Sequence, residues 1–260
     1  MNLQNILNEI EKVDTDVIER LDHISRRNIF SSLIKKVAVG AAPVAFAAVL
    51  NKAYAQNNVV GEVLNFALTL EYLEAEFYNK SLESGIIPAA AKSYYEQIAK
   101  HENAHVALLK SALGSAAVSK PNFDFTARGA FPGVFTDLQT NYAVAQAFED
   151  TGVRAYKGQA PRLIPFPVVL TIALQIHSVE ARHAARIRFL RAQKGWISNS
   201  DSSGLPGAIY AGDDNVMQGG VDVTTLVSGM GISRTNVTES FDEPLSMSAV
   251  LAIAGPFIAA

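Results

Sequence analysis

The feature that most constrains this chain is a repeated spacing of residues that are hard to bury. Glu102-Asn103-Ala104-His105 and Glu180-Ala181-Arg182-His183 are both E-x-x-H, and they stand 78 positions apart. The same offset of 78 relates Glu71 to Glu149 and Tyr78 to Tyr156. Positions i and i+3 share a helix face, so each motif directs a carboxylate and an imidazole at one place. Each tyrosine follows its glutamate by seven residues, nearly two helical turns, and falls on the same face. One two-helix unit therefore reads as used twice.

The setting of the four glutamates is apolar. Leu64, Ala67, Leu68, Ala75 and Tyr78 surround Glu71 at helical spacing, and Tyr95, Ile98, Ala99, Val106 and Leu109 surround Glu102. Glu149 lies between Ala145 and Val153, and Glu180 among Ile176, Ala184 and Ile187. Four carboxylates then point into one core. A buried, unpaired charge costs several kcal/mol, and four like charges would take up protons or unfold the bundle. Two divalent cations neutralise them directly. The chain has no cysteine, which excludes disulfides, thiolate catalysis and zinc-thiolate or iron–sulfur sites. Oxygen and nitrogen donors suit iron, manganese or zinc, and the paired arrangement favours the first two.

Helical periodicity runs over about 61–83, 89–113, 134–158 and 166–194. Gly85–Pro88 breaks the first pair and Gly158–Pro167 the second, while a longer connection, Gly114–Gly133, separates the pairs. Short, long, short is the pattern of an all-α four-helix bundle with one crossover. Of 17 glycines, 9 fall between Gly195 and Gly255, and acidic residues there outnumber basic ones seven to one, so 196–260 reads as a loop-rich C-terminal extension. It ends in a short helix begun by Pro244 or Ser246 and docked through Leu245, Val250, Leu251 and Ile253. A hydrophobic fraction of 49% with 18% charged residues fits a packed core. The net charge of −3, with no Lys/Arg run in the folded part, argues against nucleic acid as a partner.

Residues 1–55 differ from the rest. Ser25–Phe30 reads S-R-R-N-I-F, an apolar stretch follows over Val37–Leu50, and Ala53-Tyr54-Ala55 offers a small-x-small pattern before Gln56. This resembles a twin-arginine export signal. The apolar stretch, interrupted by Gly40 and Pro43, is too short to span the ~30 Å hydrocarbon core. The expectation is a protein exported already folded, to the periplasm or beyond, with no stable membrane span once the signal is cleaved. The bundle then occupies 56–195.

Glu71, Glu102-x-x-His105, Glu149 and Glu180-x-x-His183 together resemble the six di-iron ligands of the ferritin-like superfamily, over roughly residues 60–194. The E-Y-L-E-A-E-F-Y run of the first helix and the twin-arginine leader are closer to the exported bacterial ferritin-like domain proteins than to iron-storing ferritin. The resemblance implies two iron ions, or manganese as in the manganese catalases, reacting with oxygen or peroxide. It implies a role in electron transfer for tyrosines placed as Tyr78 and Tyr156 are, and it is compatible with a homo-oligomer.

Other readings stand beside it. His101-Glu102-Asn103-Ala104-His105 matches the H-E-x-x-H of zinc proteases, but Val179 replaces His101 in the second copy, and that motif leaves Glu71, Glu149 and Glu180-x-x-His183 unexplained. His101 reads as either a supporting group beside the site or, preferred, a surface residue, and Arg154 and Arg182 as partners of carboxylates near the site or, preferred, on solvated faces. Glu74, one turn from Glu71, is a candidate ligand or ion-pair partner, and His177 a core or supporting histidine. Asp213-Asp214-Asn215 reads as a turn. A metal pair that only clamps the bundle, without catalysis, is the remaining alternative.

Overall fold

The computed structural model describes residues 58–259; the twin-arginine motif, the apolar stretch and the cleavage pattern lie outside the described residues. Four long helices form the expected all-α bundle: α1 (Asn58–Glu83), α2 (Ala89–Leu113), α3 (Leu138–Leu163) and α4 (Pro167–Leu190). α1 packs along α2 and α3 along α4, each pair closed by a short loop. The two hairpins meet through α1 against α3 and α2 against α4.

α3 departs from its expected bounds at both ends. It begins at Leu138 because the Asp137 carboxylate caps it, accepting from the Thr140 N–H at 2.7 Å. It also runs through Gly158 and Pro161 to Leu163. Gly158 is a contact and not a stop: a Cβ there would lie 1.8 Å from the Leu245 carbonyl oxygen. The glycine lets a later strand of chain press directly on the helix backbone. α4 opens on Pro167, whose fixed φ and missing N–H suit a first helical position.

The long connection between the hairpins is packed. Asp124 accepts from the N–H groups of Thr126 and Arg128 at 3.0 and 2.9 Å, and the turn so formed holds Phe125 inside. Phe125 meets Phe77, Phe135 and Phe148, and Phe257 from the C-terminus packs edge-on against Phe148 with ring centroids 4.8 Å apart. Such pairs add about 0.5–1.5 kcal/mol each beyond the area they bury.

The extension carries a two-residue antiparallel pair, β1 (Met217–Gln218) with β2 (Val221–Asp222), and the short helices α5 (Val223–Leu226), α6 (Arg234–Thr238) and α7 (Met247–Ala254). It is docked through Ile209, Tyr210 and Val250, all essentially inaccessible. α7 starts after Ser246, whose hydroxyl accepts from the Ala249 N–H. Leu245 and Val250 are buried as expected, whereas Leu251 is 43% exposed because α7 turns that face outward. Arg154 was expected on a solvated face and is instead fully buried. The extension covers it, and its guanidinium donates to the carbonyls of Ile209, Ala211 (2.6 Å) and Glu243 (2.7 Å), with Asp213 at 3.7 Å. Asp213 does stand in a turn, and its carboxylate also accepts from the Glu243 N–H at 2.8 Å. None of the described helices is long and apolar enough to cross a membrane.

Candidate metal centre

α1 brings in Glu71 and Tyr78, α2 Glu102 and His105, α3 Glu149 and Tyr156, and α4 Glu180 and His183. Glu71, Glu102, Glu149 and Glu180 have no accessible surface, and His183 is 4% exposed. The six carboxylate and imidazole groups converge as two overlapping donor sets. Glu71, Glu102, His105 and Glu180 form one; Glu102, Glu149, Glu180 and His183 form the other. Within each set the donor atoms lie within 4.8 Å of one another. Glu102 and Glu180 belong to both sets.

The tyrosines join the two copies of the repeat. The Tyr78 hydroxyl donates to Glu149 Oε1 at 2.5 Å, and the Tyr156 hydroxyl donates to Glu71. Each copy's tyrosine thus holds the other copy's glutamate. A bond from the later residue of α1 to the earlier one of α3, and the converse, requires the two helices to run in opposite directions. Burial first, then the neighbouring carboxylate, raises both phenols well above their ordinary range, so they remain neutral donors.

The charge state points the same way. His105 Nδ1 lies 3.1 Å from Glu71 Oε2, 3.1 Å from Glu102 Oε2 and 3.3 Å from Glu180 Oε1. His183 Nδ1 lies 2.9, 3.4 and 3.3 Å from oxygens of Glu102, Glu149 and Glu180. One ring N–H cannot point at three oxygens. Glu102 Oε1, Glu149 Oε2 and Glu180 Oε1 accordingly have close nitrogen neighbours yet accept no aligned hydrogen bond. A cation at each nitrogen's focus would satisfy all three oxygens at once, so the donors fit metal ions. Without metal the imidazoles must act as cations. Burial disfavours their charge, but Glu71 and Glu149 with the hydrogen-bonded carboxylates outweigh it and raise both pKa values strongly. Burial raises Glu149 to about 7, offset in part by His183. Burial would also raise Glu180, but the nearby imidazoles of His105 and His183 prevail and hold it at about 2.

His101 is not the surface residue expected. It stacks on His183 with ring centroids 5.1 Å apart, and its Nδ1 lies 2.9 Å from His183 Nε2. Its own Nε2 meets the Gln97 side-chain amide. His101 lies outside both donor sets, which removes the support that H-E-x-x-H gave to a zinc protease. The sequence carried a signal for the contact, since His101 is four residues before His105 and shares its face. His177 reaches the Val153 carbonyl through Nδ1 at 3.0 Å and ties α4 to α3, and Arg182 is exposed. A buried ion pair that sequence reasoning passed over, Asp150 with Arg188 at 2.6 Å, also receives the Tyr210 hydroxyl at 2.7 Å and fastens the extension to α3 and α4.

No curated protein and no solved structure gives a significant match to the chain. A family model, described as the ferritin-like domain, matches residues 60–193. That span takes in more than half of the chain and all four elements that supply the buried carboxylates and imidazoles. The chain therefore belongs to the ferritin-like domain family.

Proposed function

We propose that the chain is an exported protein that holds a carboxylate-bridged pair of iron or manganese ions and uses it for redox chemistry with oxygen or peroxide. The observation that carries this reading is the sharing of Glu102 and Glu180 between two complete four-donor sets. Four carboxylates cancel the charge of two divalent cations, and neutral His105 and His183 complete the two positions. Bound iron or manganese would supply electrons and polarise the oxidant. The protein's part is to hold Glu71 and Glu149 in orientation through Tyr156 and Tyr78, to keep those phenols protonated, and to exclude water with an apolar wall. A twin-arginine leader suits this function, because that route carries folded protein and so allows metal to be loaded before export.

The test is metal analysis of protein beginning at Gln56, followed by oxygen and peroxide consumption after reduction. Two metal ions per chain and consumption of either oxidant with a change in visible absorption are expected. Less than one metal per chain, with no spectral change on oxidation, overturns the reading.

A further inference from the structure

The repeat that builds the centre is broken next to it. The offset of 78 that pairs every donor and both tyrosines pairs Glu74 with Gly152. Glu74 is 4% exposed, and its carboxyl makes no hydrogen bond or ion pair within the described residues. It lines a small, mainly apolar cavity of about 20 Å³ with Leu70, Phe148, Thr151, Gly152 and Ile253. The four charged groups that act on it most are themselves carboxylates, Glu180 first and then Glu149, Glu102 and Glu71.

Gly152 explains how Glu74 is placed. A Cβ there would lie 3.2 Å from Glu74 Oε1 and 4.0 Å from Glu180 Oε2. The side chain missing from α3 is thus the opening through which Glu74 faces Glu180, a glutamate common to both donor sets. A carboxyl set among mainly apolar groups, with other acids as the charged groups that act on it most, is poorly compensated by the protein alone. It gains from a nearby cation, and among the described residues the groups that could hold one are those of the centre.

We propose that Glu74 is a seventh donor, recruited when metal is bound, and that it makes the two metal positions unequal in a centre whose other donors are related by the repeat. Glu74 stands outside both donor sets, so it would reach a metal held there by side-chain rotation through the gap at Gly152. The favoured position is that of Glu149 and His183, the position where the repeat is broken a second time: His101, whose counterpart is Val179, backs His183 but not His105.

The proposal rests on the two-metal reading, and one titration separates them. Mn(II) and Co(II) are titrated into full-length protein and into Glu74→Gln and Glu74→Asp, followed by calorimetry and, for Co(II), by visible absorption. The native chain should bind two ions with distinguishable affinities. Glu74→Gln should weaken one by about tenfold or more and leave the other within twofold, a size typical of lost supporting groups at metal sites. Glu74→Asp keeps the charge and shortens the reach; a loss like that of Gln, with a changed Co(II) band, identifies ligation and not a field effect. Unchanged affinities in Glu74→Gln, or full retention in Glu74→Asp, overturn the seventh donor while leaving the centre standing. Absence of metal from the native chain would instead overturn the centre, and this proposal with it.

Discussion

Glu149 and Glu180 look alike in sequence, both buried glutamates on inward faces, but they are not equal in the structure. Glu149 belongs to one donor set and Glu180 to both. Replacing Glu149 by Ala should therefore cost one metal ion of two, and replacing Glu180 by Ala should cost both, as read by elemental analysis after equilibration with Mn(II). The protonation states add a dependence on pH. His105 and His183 have raised folded pKa values, so in the metal-free protein their pairing with carboxylates contributes stability that is complete below the ordinary imidazole pKa and is lost only as pH rises through the higher folded value. Metal must displace those protons. Glu149, raised to about 7, must lose its proton as well. Metal affinity should fall as pH drops from 8 to 6, with protons released on binding. Calorimetry in buffers of different ionisation enthalpy measures that release, and affinity independent of pH would contradict it.

At the scale of elements, two of the contacts that hold the extension to α3 each predict a loss of stability. Gly158→Ala drives a methyl group into the Leu245 carbonyl and should cost about 1–3 kcal/mol, by overpacking against backbone that cannot rotate away. Arg154→Ala leaves the carbonyls of Ile209, Ala211 and Glu243 and the buried Asp213 without their partner, and should cost about 3–5 kcal/mol. Thermal or urea unfolding of the metal-free proteins checks both. These positions also mark what could be read in advance. The four helices, the crossover and the convergence of the E-x-x-H motifs were legible because each leaves a local trace in periodicity or in the offset of 78. Gly158 read as a helix end and Arg154 as a surface charge because both are set by segments some 55 to 90 residues away, and no local pattern encodes what will cover a helix face. His101 differs, since a histidine four residues before a donor fits both a supporting contact and a solvated face, and the solvated face preferred from sequence is not what the structure shows.

At the scale of the whole molecule, the proposed export ties a leader outside the described residues to the centre. Changing Arg26-Arg27 to Lys-Lys should leave the protein inside the cell with its metal bound, which fractionation and elemental analysis detect together. Secretion unaffected by the change would remove the twin-arginine assignment without touching the centre. The centre itself is a property of two hairpins jointly: Glu71, Glu102 and His105 take their fourth donor, Glu180, from the second hairpin, and Glu149, Glu180 and His183 take Glu102 from the first. Two separate copies of one hairpin, paired about a twofold axis, would assemble the same six donors, but any change in one copy would appear in the other. Joining them in a single chain by residues 114–137 lifts that constraint. Only after fusion can one half keep a glutamate at position 74 while the other makes room for it with a glycine at 152, so the covalent link frees each half of the pocket to mutate by itself.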